Sequence, residues 1–143
     1  MIIWLTGQPG SGKTTLAEWI KAHFYGNAII IDGDDIRHVF QNKDYSEEGR
    51  RKNIERAQDL ALFLHHKNLT PIVSLVSPYR DQRESFKEKM GKDIKEFYIH
   101  TTNIRGRENF HVQNYEPPLE NFIDIDTTDE DHYTTFQRMR KQL

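Results

Sequence analysis

The sequence predicts an α/β fold, a central parallel sheet with helices on both faces, and three observations carry the prediction. Apolar runs of strand length alternate along the chain with segments of helical period. The first run passes directly into a glycine-rich turn that opens a helix. The second ends in a cluster of carboxylates, a polar mouth of the kind found where parallel strands present ligands beyond their carboxyl ends.

Residues 2 to 6 (IIWLT) form the first strand, buried on both faces because every position is apolar or small. A helix runs from Lys13 to about Phe24, where Leu16, Ala17, Trp19, Ile20 and Phe24 recur at helical spacing and Gly26 stops it. Ala28 to Ile31 is the second strand, ending in Asp32, Asp34 and Asp35. A long helix is expected from about Ser46 to His66: Ser46 with Glu47 and Glu48 makes an N-terminal cap, and Ile54, Ala57, Ala61 and Leu64 mark its apolar face. Pro71 opens a third strand, IVSLV; Asp81 to Met90 reads as a surface helix, and Glu96 to His100 as a fourth strand. Residues 101–118 are polar, with Gly106 and the pair Pro117 and Pro118, and read as a loop crossing the face of the domain. A last strand, Phe122 to Ile125, precedes a helix near 129–141. With no repeat, low-complexity tract or linker, residues 1–143 are expected to form a single domain.

Composition narrows the chemistry. With 143 residues, 36% of them hydrophobic, there is material for one core. The absence of cysteine excludes a disulfide scaffold, a cysteine-ligated zinc module, an iron–sulfur protein and a thiol enzyme. The start, MIIWLTGQPG, lacks a basic flank, and no stretch approaches the roughly 18 to 20 apolar residues of a membrane span, so a cytoplasmic protein with no membrane partner is expected. Twenty Lys and Arg against 22 Asp and Glu leave a net charge of −2, which argues against broad attraction to nucleic acid. An anionic ligand must therefore be held by a local site.

That site is legible at Gly7, Gln8, Pro9, Gly10, Ser11, Gly12, Lys13 and Thr14, a full match to the phosphate loop Gly, four residues, Gly, Lys, Ser or Thr, between a strand and a helix. Glycines let backbone N–H groups turn around phosphate, and the helix that follows offers its positive end. Lys13 can reach the β and γ phosphates, the Thr14 hydroxyl can ligate Mg²⁺, and Thr15 completes the ATP-binding segment. A guanine-specific switch would carry Asn-Lys-x-Asp, but Asn42, Lys43 and Asp44 miss that spacing because Tyr45 takes the fourth position. After the second strand the residues alone leave two readings open. Asp32, Asp34 and Asp35 either cap a helix, or Asp34 faces the phosphate loop and takes a proton from an acceptor hydroxyl, with Arg37 one turn later. Likewise Arg50, Arg51, Lys52 and Arg56 make either an anion contact or a solvated face balanced by Glu47, Glu48 and Glu55. Tyr79 and Arg80 could start a helix after Pro78, Arg80 pairing with a carboxylate.

Taken together, GQPGSGKTTLA at 7–17, DGDDIRH at 32–38, YSEEGRRKNIERA at 45–57, SPYRDQR at 77–83 and NYEPPLENFIDIDT at 114–127 resemble the adenylylsulfate (APS) kinase family, in the family's order and over most of the chain. The resemblance implies a P-loop NTPase fold of the nucleoside-monophosphate-kinase-like, three-layer type, and phosphorylation of the 3′ hydroxyl of adenosine 5′-phosphosulfate by MgATP. It casts Asp34 as the catalytic base beside Lys13, and Arg37 and Arg50 as contacts to the acceptor's 5′ anionic group. Tyr45 would stack on the acceptor base, Asn53 would touch the nucleoside, and Val76 and Ser77 would line the acceptor pocket. Departures accompany it: Asp35 replaces the usual asparagine, Lys52 replaces a glutamate, and the connection from Arg37 to Tyr45 is one residue shorter. The family's long helical lid is reduced here to TNIRGRENF at 102–110. Phe110 resembles the lid phenylalanine that sandwiches the acceptor base, and Arg105 or Arg107 stands in for a lid cation.

The leading expectation is thus a small APS kinase making 3′-phosphoadenosine 5′-phosphosulfate, with ATP and Mg²⁺ as cofactors, a nucleotide acceptor as its small-molecule partner and a homodimer admitted as its assembly. The shortened lid motivates a rival of the same construction acting on another 5′-substituted nucleotide such as cytidine diphosphoramidate. A noncatalytic nucleotide-binding module is a third reading, against which Asp34 beside Lys13 and Thr14 speaks, because binding alone needs no acceptor base.

Overall fold

The computed structural model describes residues 1–24 and 26–143. Five strands, β1 (Ile2–Thr6), β2 (Ala28–Asp32), β3 (Thr70–Ser74), β4 (Ile94–His100) and β5 (Ile123–Asp126), form one parallel sheet in the order β2-β3-β1-β4-β5. The order reverses at β1, so the phosphate loop that follows it opens at the sheet's switch point, where parallel α/β sheets bind their ligands.

Alternation along β1 divides the core. Ile3 and Leu5 pack with Leu16, Ala17 and Ile20 of α1 (Lys13–Phe24) and with Phe136 and Met139 near the chain's end. Ile2 and Trp4 point the other way, into Ile54, Ala57 and Ala61 and against Phe86. Helix α1 and the last helix therefore cover one face. The opposite face is covered by α2 (Gly33–Val39), α3 (Glu47–His66) and α4 (Arg80–Met90); the last helix is α5 (His132–Arg140). No described helix is long and apolar enough to cross a membrane.

Several boundaries move from those expected, each for a local reason. The carboxylate mouth after β2 is itself a helix, α2, whose N-cap is Asp32: its carboxylate accepts the Asp34 N–H at 2.8 Å. The capping reading is thus realised by Asp32, which leaves Asp34 in the first turn. Strand β3 stops at Ser74 rather than Val76, because the Thr6 hydroxyl donates to the Val76 carbonyl at 2.7 Å and Ser77 turns to a φ of 47°. Strand β4 begins two residues early, at Ile94, which pairs with Ile2. Strand β5 is shifted by one residue, and α5 starts at His132 because the Asp131 carboxylate caps it by accepting the Thr134 N–H. Helix α4 starts at Arg80, whose guanidinium donates to the Pro117 carbonyl, not to a carboxylate. Ser46 caps α3, accepting the Gly49 N–H.

Candidate active site

The phosphate loop folds tightly because its glycines occupy conformations closed to side chains. Gly10 and Gly12 have φ of 84° and 105°, and a Cβ on Gly7 would lie 2.1 Å from the Ile99 carbonyl oxygen. Lys13 leaves the loop at the start of α1 and turns back over it, its ammonium donating to the Gly7 and Gln8 carbonyls at 2.7 and 3.0 Å. It is only 8% exposed. Burial pulls its pKa down from 10.5 to about 8, against an opposing pull from the Asp32 carboxylate; Arg107 adds to the lowering. Burial likewise raises the Asp32 carboxyl, although the Asp34 N–H and Lys13 favour its charged form.

Two cavities meet beside this loop. The first, about 450 Å³, is floored by Gly10, Gly12, Lys13, Thr14 and Thr15 and roofed by Arg105 and Arg107. The second, about 550 Å³, lies beyond the carboxyl ends of β2 and β3. Pro9, Gly33, Asp34, Leu75 and Val76 line both, so Asp34 stands on the wall between them.

The second cavity brings together Asp34, Arg37, Tyr45, Arg50, Asn53, Val76, Ser77 and Phe110, drawn from α2, the 42–45 loop, α3, the β3 exit and residues 101–118. Arg37 lies with its guanidinium 4.0 Å from the Tyr45 ring centroid and donates through Nη1 to the Asn42 and Asp44 carbonyls, so it shapes the 42–45 loop as well as the cavity. Tyr45 and Phe110 are mostly exposed at the cavity mouth, with the Arg37 guanidinium over the Tyr45 ring and that of Arg107 5.7 Å from the Phe110 centroid. Asn53 is buried and its Nδ2 donates to the Gly33 carbonyl; among the described residues its Oδ1 has no partner, nor has the Ser77 hydroxyl. A buried acceptor without a donor is costly, and a ligand N–H or O–H in the cavity would satisfy it.

Within the phosphate loop the placements differ. Pro9, Gly10, Gly12, Lys13, Thr14 and Thr15 line the first cavity. Ser11 is buried behind it, Gly7 backs onto Ile99, and the Gln8 side chain turns away to Val112. Residues outside the sequence reading also line the walls. His132 joins the first cavity from the start of α5; Asn109, His111 and Val112 join the second. Thr127 braces the loop, donating to the Ser11 carbonyl at 3.1 Å, and Arg105 donates to the Gly10 and Ser11 carbonyls at 3.4 Å. Thr127 follows β5, so its position at a strand's carboxyl end was the available signal. For His132 there was none.

Mg²⁺ takes oxygen ligands and keeps several waters, so it is usually held by one or two protein oxygens with substrate phosphates. Among the described residues no group of three or more His, Cys, Asp or Glu could hold a metal ion alone. The exposed Thr14 hydroxyl, with Asp32 and Asp34 on the same cavity wall, is a donor set of the sparse kind that suits an ion arriving with a nucleotide.

The family model described as adenylylsulphate kinase matches residues 1–117. An adenylyl-sulfate kinase of Buchnera aphidicola is 35% identical over 106 residues, 71% of this chain and 52% of that protein. One from Clostridium kluyveri is 31% identical over 103 residues, 69% of this chain and 52% of that protein. The chain thus spans about half the length of these curated relatives. In three dimensions it is similar to the Mycobacterium tuberculosis APS kinase solved in complex with AMPPNP and APS, with a TM-score of 0.82 and 19% identity over 98% of this chain and 95% of that one. At that identity the likeness establishes the P-loop kinase fold.

Proposed function

This chain belongs to the adenylylsulphate kinase family, and on that premise we propose that it transfers the γ phosphoryl group of MgATP to the 3′ hydroxyl of adenosine 5′-phosphosulfate, giving 3′-phosphoadenosine 5′-phosphosulfate. The observation that carries the reading is the shared wall: a carboxylate, Asp34, between a phosphate-binding cavity and a second cavity of nucleotide size. A switch or binding module has no use for that second chamber. The structurally similar Mycobacterium tuberculosis APS kinase, solved with AMPPNP and APS together, supports the pairing of ligands.

In this reading the loop N–H groups and the start of α1 hold the ATP phosphates, and Lys13 gives up its contacts to the Gly7 and Gln8 carbonyls for the phosphate oxygens. Thr14 would ligate Mg²⁺, which neutralises charge on the phosphates. Asp34 orients the acceptor hydroxyl in line with the γ phosphorus and takes its proton as the new P–O bond forms and ADP leaves. Arg50 and Arg37 face the acceptor's phosphosulfate, a group suited to guanidinium forks. Tyr45 and Phe110 supply stacking faces, and the free Asn53 Oδ1 accepts a hydrogen bond from the nucleoside.

An acceptor screen tests this. Purified protein with MgATP is offered APS and a panel of other 5′-substituted nucleotides, cytidine diphosphoramidate among them, and products are identified by mass spectrometry. APS-dependent ADP release with a singly phosphorylated APS product is expected. Turnover confined to another nucleotide would replace APS by that acceptor, and ATP binding without any acceptor-dependent turnover would leave the binding-module reading in its place.

A further inference from the structure

The Gln8 side chain sits in the phosphate loop yet makes no contact of a phosphate ligand. Its Nε2 donates to the Val112 carbonyl at 2.8 Å and its Oε1 accepts the Val112 N–H at 2.8 Å, a reciprocal pair that fixes the amide orientation as one strand residue fixes another. Val112 ends the run Asn109 to Val112, every residue of which lines the acceptor cavity, Phe110 among them. The turn carrying Phe110 is closed by its own backbone, the Phe110 and His111 N–H groups donating to the Arg107 and Glu108 carbonyls. Among the described residues, apart from the neighbouring Arg105 N–H donating to the Glu108 carboxylate, the pair to Gln8 is the only hydrogen bonding that ties residues 106–114 to the rest of the chain. On one side the segment is next anchored by Arg105 on the Gly10 and Ser11 carbonyls, on the other by Tyr115 on the Thr6 hydroxyl.

We propose that Gln8 is a positioning residue for the acceptor: from within the ATP-binding loop, its amide holds the 109–112 strap, and with it Phe110, across the acceptor cavity. The proposal rests on the reading of that cavity as an acceptor site. In a chain whose lid is reduced to a short loop, one side-chain amide does the work of ordering that a packed helical lid would otherwise do. It also links the two substrates, because the same residue's carbonyl accepts from Lys13 in the free enzyme. When Lys13 turns to the ATP phosphates, the Gln8 backbone loses that donor while the side chain keeps the strap.

Two variants and two measurements decide the matter. Gln8→Ala removes the amide, and Gln8→Met removes it while keeping most of the bulk, so agreement between them separates hydrogen bonding from packing. Hydrogen–deuterium exchange of the 106–114 segment reads the tether whatever the acceptor is; steady-state kinetics read its use. Expected in both variants are faster exchange confined to that segment, and an acceptor KM raised about tenfold with the KM for ATP changed less than twofold, the size expected for two modest hydrogen bonds. In a Phe110→Ala background the Gln8 substitutions should add little further, since the tether acts through Phe110. Unchanged exchange in the segment overturns the proposal, as does faster exchange with an unchanged acceptor KM, or a loss that falls on ATP. If the wild-type protein does not phosphorylate APS, the acceptor assignment fails, while exchange, and the KM of whichever acceptor the screen identifies, still decide for or against the tether.

Discussion

In the proposed reaction two side chains divide the chemistry at the residue scale, and each yields a measurable consequence. Asp34→Asn keeps shape but cannot take a proton, so turnover should fall by about 10² to 10⁴-fold with ATP affinity nearly unchanged. Single-turnover kinetics beside an ATP-binding titration check this, and an unchanged rate excludes Asp34 as the base. Lys13 gives a pH signature. Burial holds its pKa near 8 in the free protein, and bound phosphates favour the ammonium, so binding ATP above pH 8 must take up a proton. The sign follows: affinity should be level at neutral pH and weaken progressively from pH 8 to 9.5, with proton uptake visible by calorimetry in buffers of different ionisation enthalpy. A level affinity across that range would mean that Lys13 stays charged in the empty site. The place of Lys13 was legible in the sequence, because a phosphate loop is a local pattern, whereas the acids after β2 left a helix cap and a base both open until the family resemblance singled out Asp34. Gln8 and Thr127 as loop braces were not legible, since their partners, Val112 and Ser11, are more than a hundred positions away.

Elements hold these residues in place, and the joint between α2 and α3 shows how little slack there is. Gly49, in the first turn of α3, lies against the 42–45 loop: a Cβ there would be 2.1 Å from the Asp44 carbonyl oxygen. Its own carbonyl accepts from Asn42, whose Oδ1 accepts the Asp44 N–H, and Arg37 closes the loop from α2. Alanine is the better helix former by about 1 kcal/mol, so in an open helix Gly49→Ala would stabilise. Here the clash prevails, because the neighbour is backbone. The substitution should displace Tyr45 and Arg37, raise the acceptor KM several-fold and lower the melting temperature; a rise in melting temperature with unchanged kinetics would show that the loop yields freely. Strands and long helices were readable from their apolar periods. Helix α2 entered only as a helix the aspartates could cap, without bounds, because it is only 7 residues long and Ile36 is its one buried position. The early end of β3 was hidden too: Leu75 and Val76 are apolar as strand residues are, and only the Thr6 hydroxyl, on a neighbouring strand, draws the chain aside.

Across the whole molecule the sheet, both helical layers and the 106–114 strap converge on one cleft, and a buried charge cluster ties its back wall together. Arg83 and Glu96 are each 2% exposed and meet at 3.1 Å, an ionic approach without a well-directed hydrogen bond. Lys87 also pairs with Glu96, at 2.9 Å, while the Arg83 guanidinium gathers the Ser77 and Glu116 carbonyls. Glu96→Ala would leave a buried guanidinium unpaired and should cost about 3 to 5 kcal/mol in chemical denaturation, with the acceptor wall at Ser77 loosened. A cost below about 1 kcal/mol would show that water or rearrangement compensates. The alternation of strands and helices and the order of the motifs made the fold class legible, whereas this cluster was not, since Arg83 falls in a predicted surface helix and Glu96 at the start of a predicted strand. The proposed function places transfer across the Asp34 wall, and the direct measurement is the fate of the ATP γ phosphoryl group. With ATP labelled at that position, Mg²⁺ and APS, the label should appear on APS, with phosphorus coupled to the ribose H3′ in the NMR spectrum, and should not appear there with Asp34→Asn in the same time. Label recovered only as inorganic phosphate, or on APS at a position other than the 3′ oxygen, would contradict it.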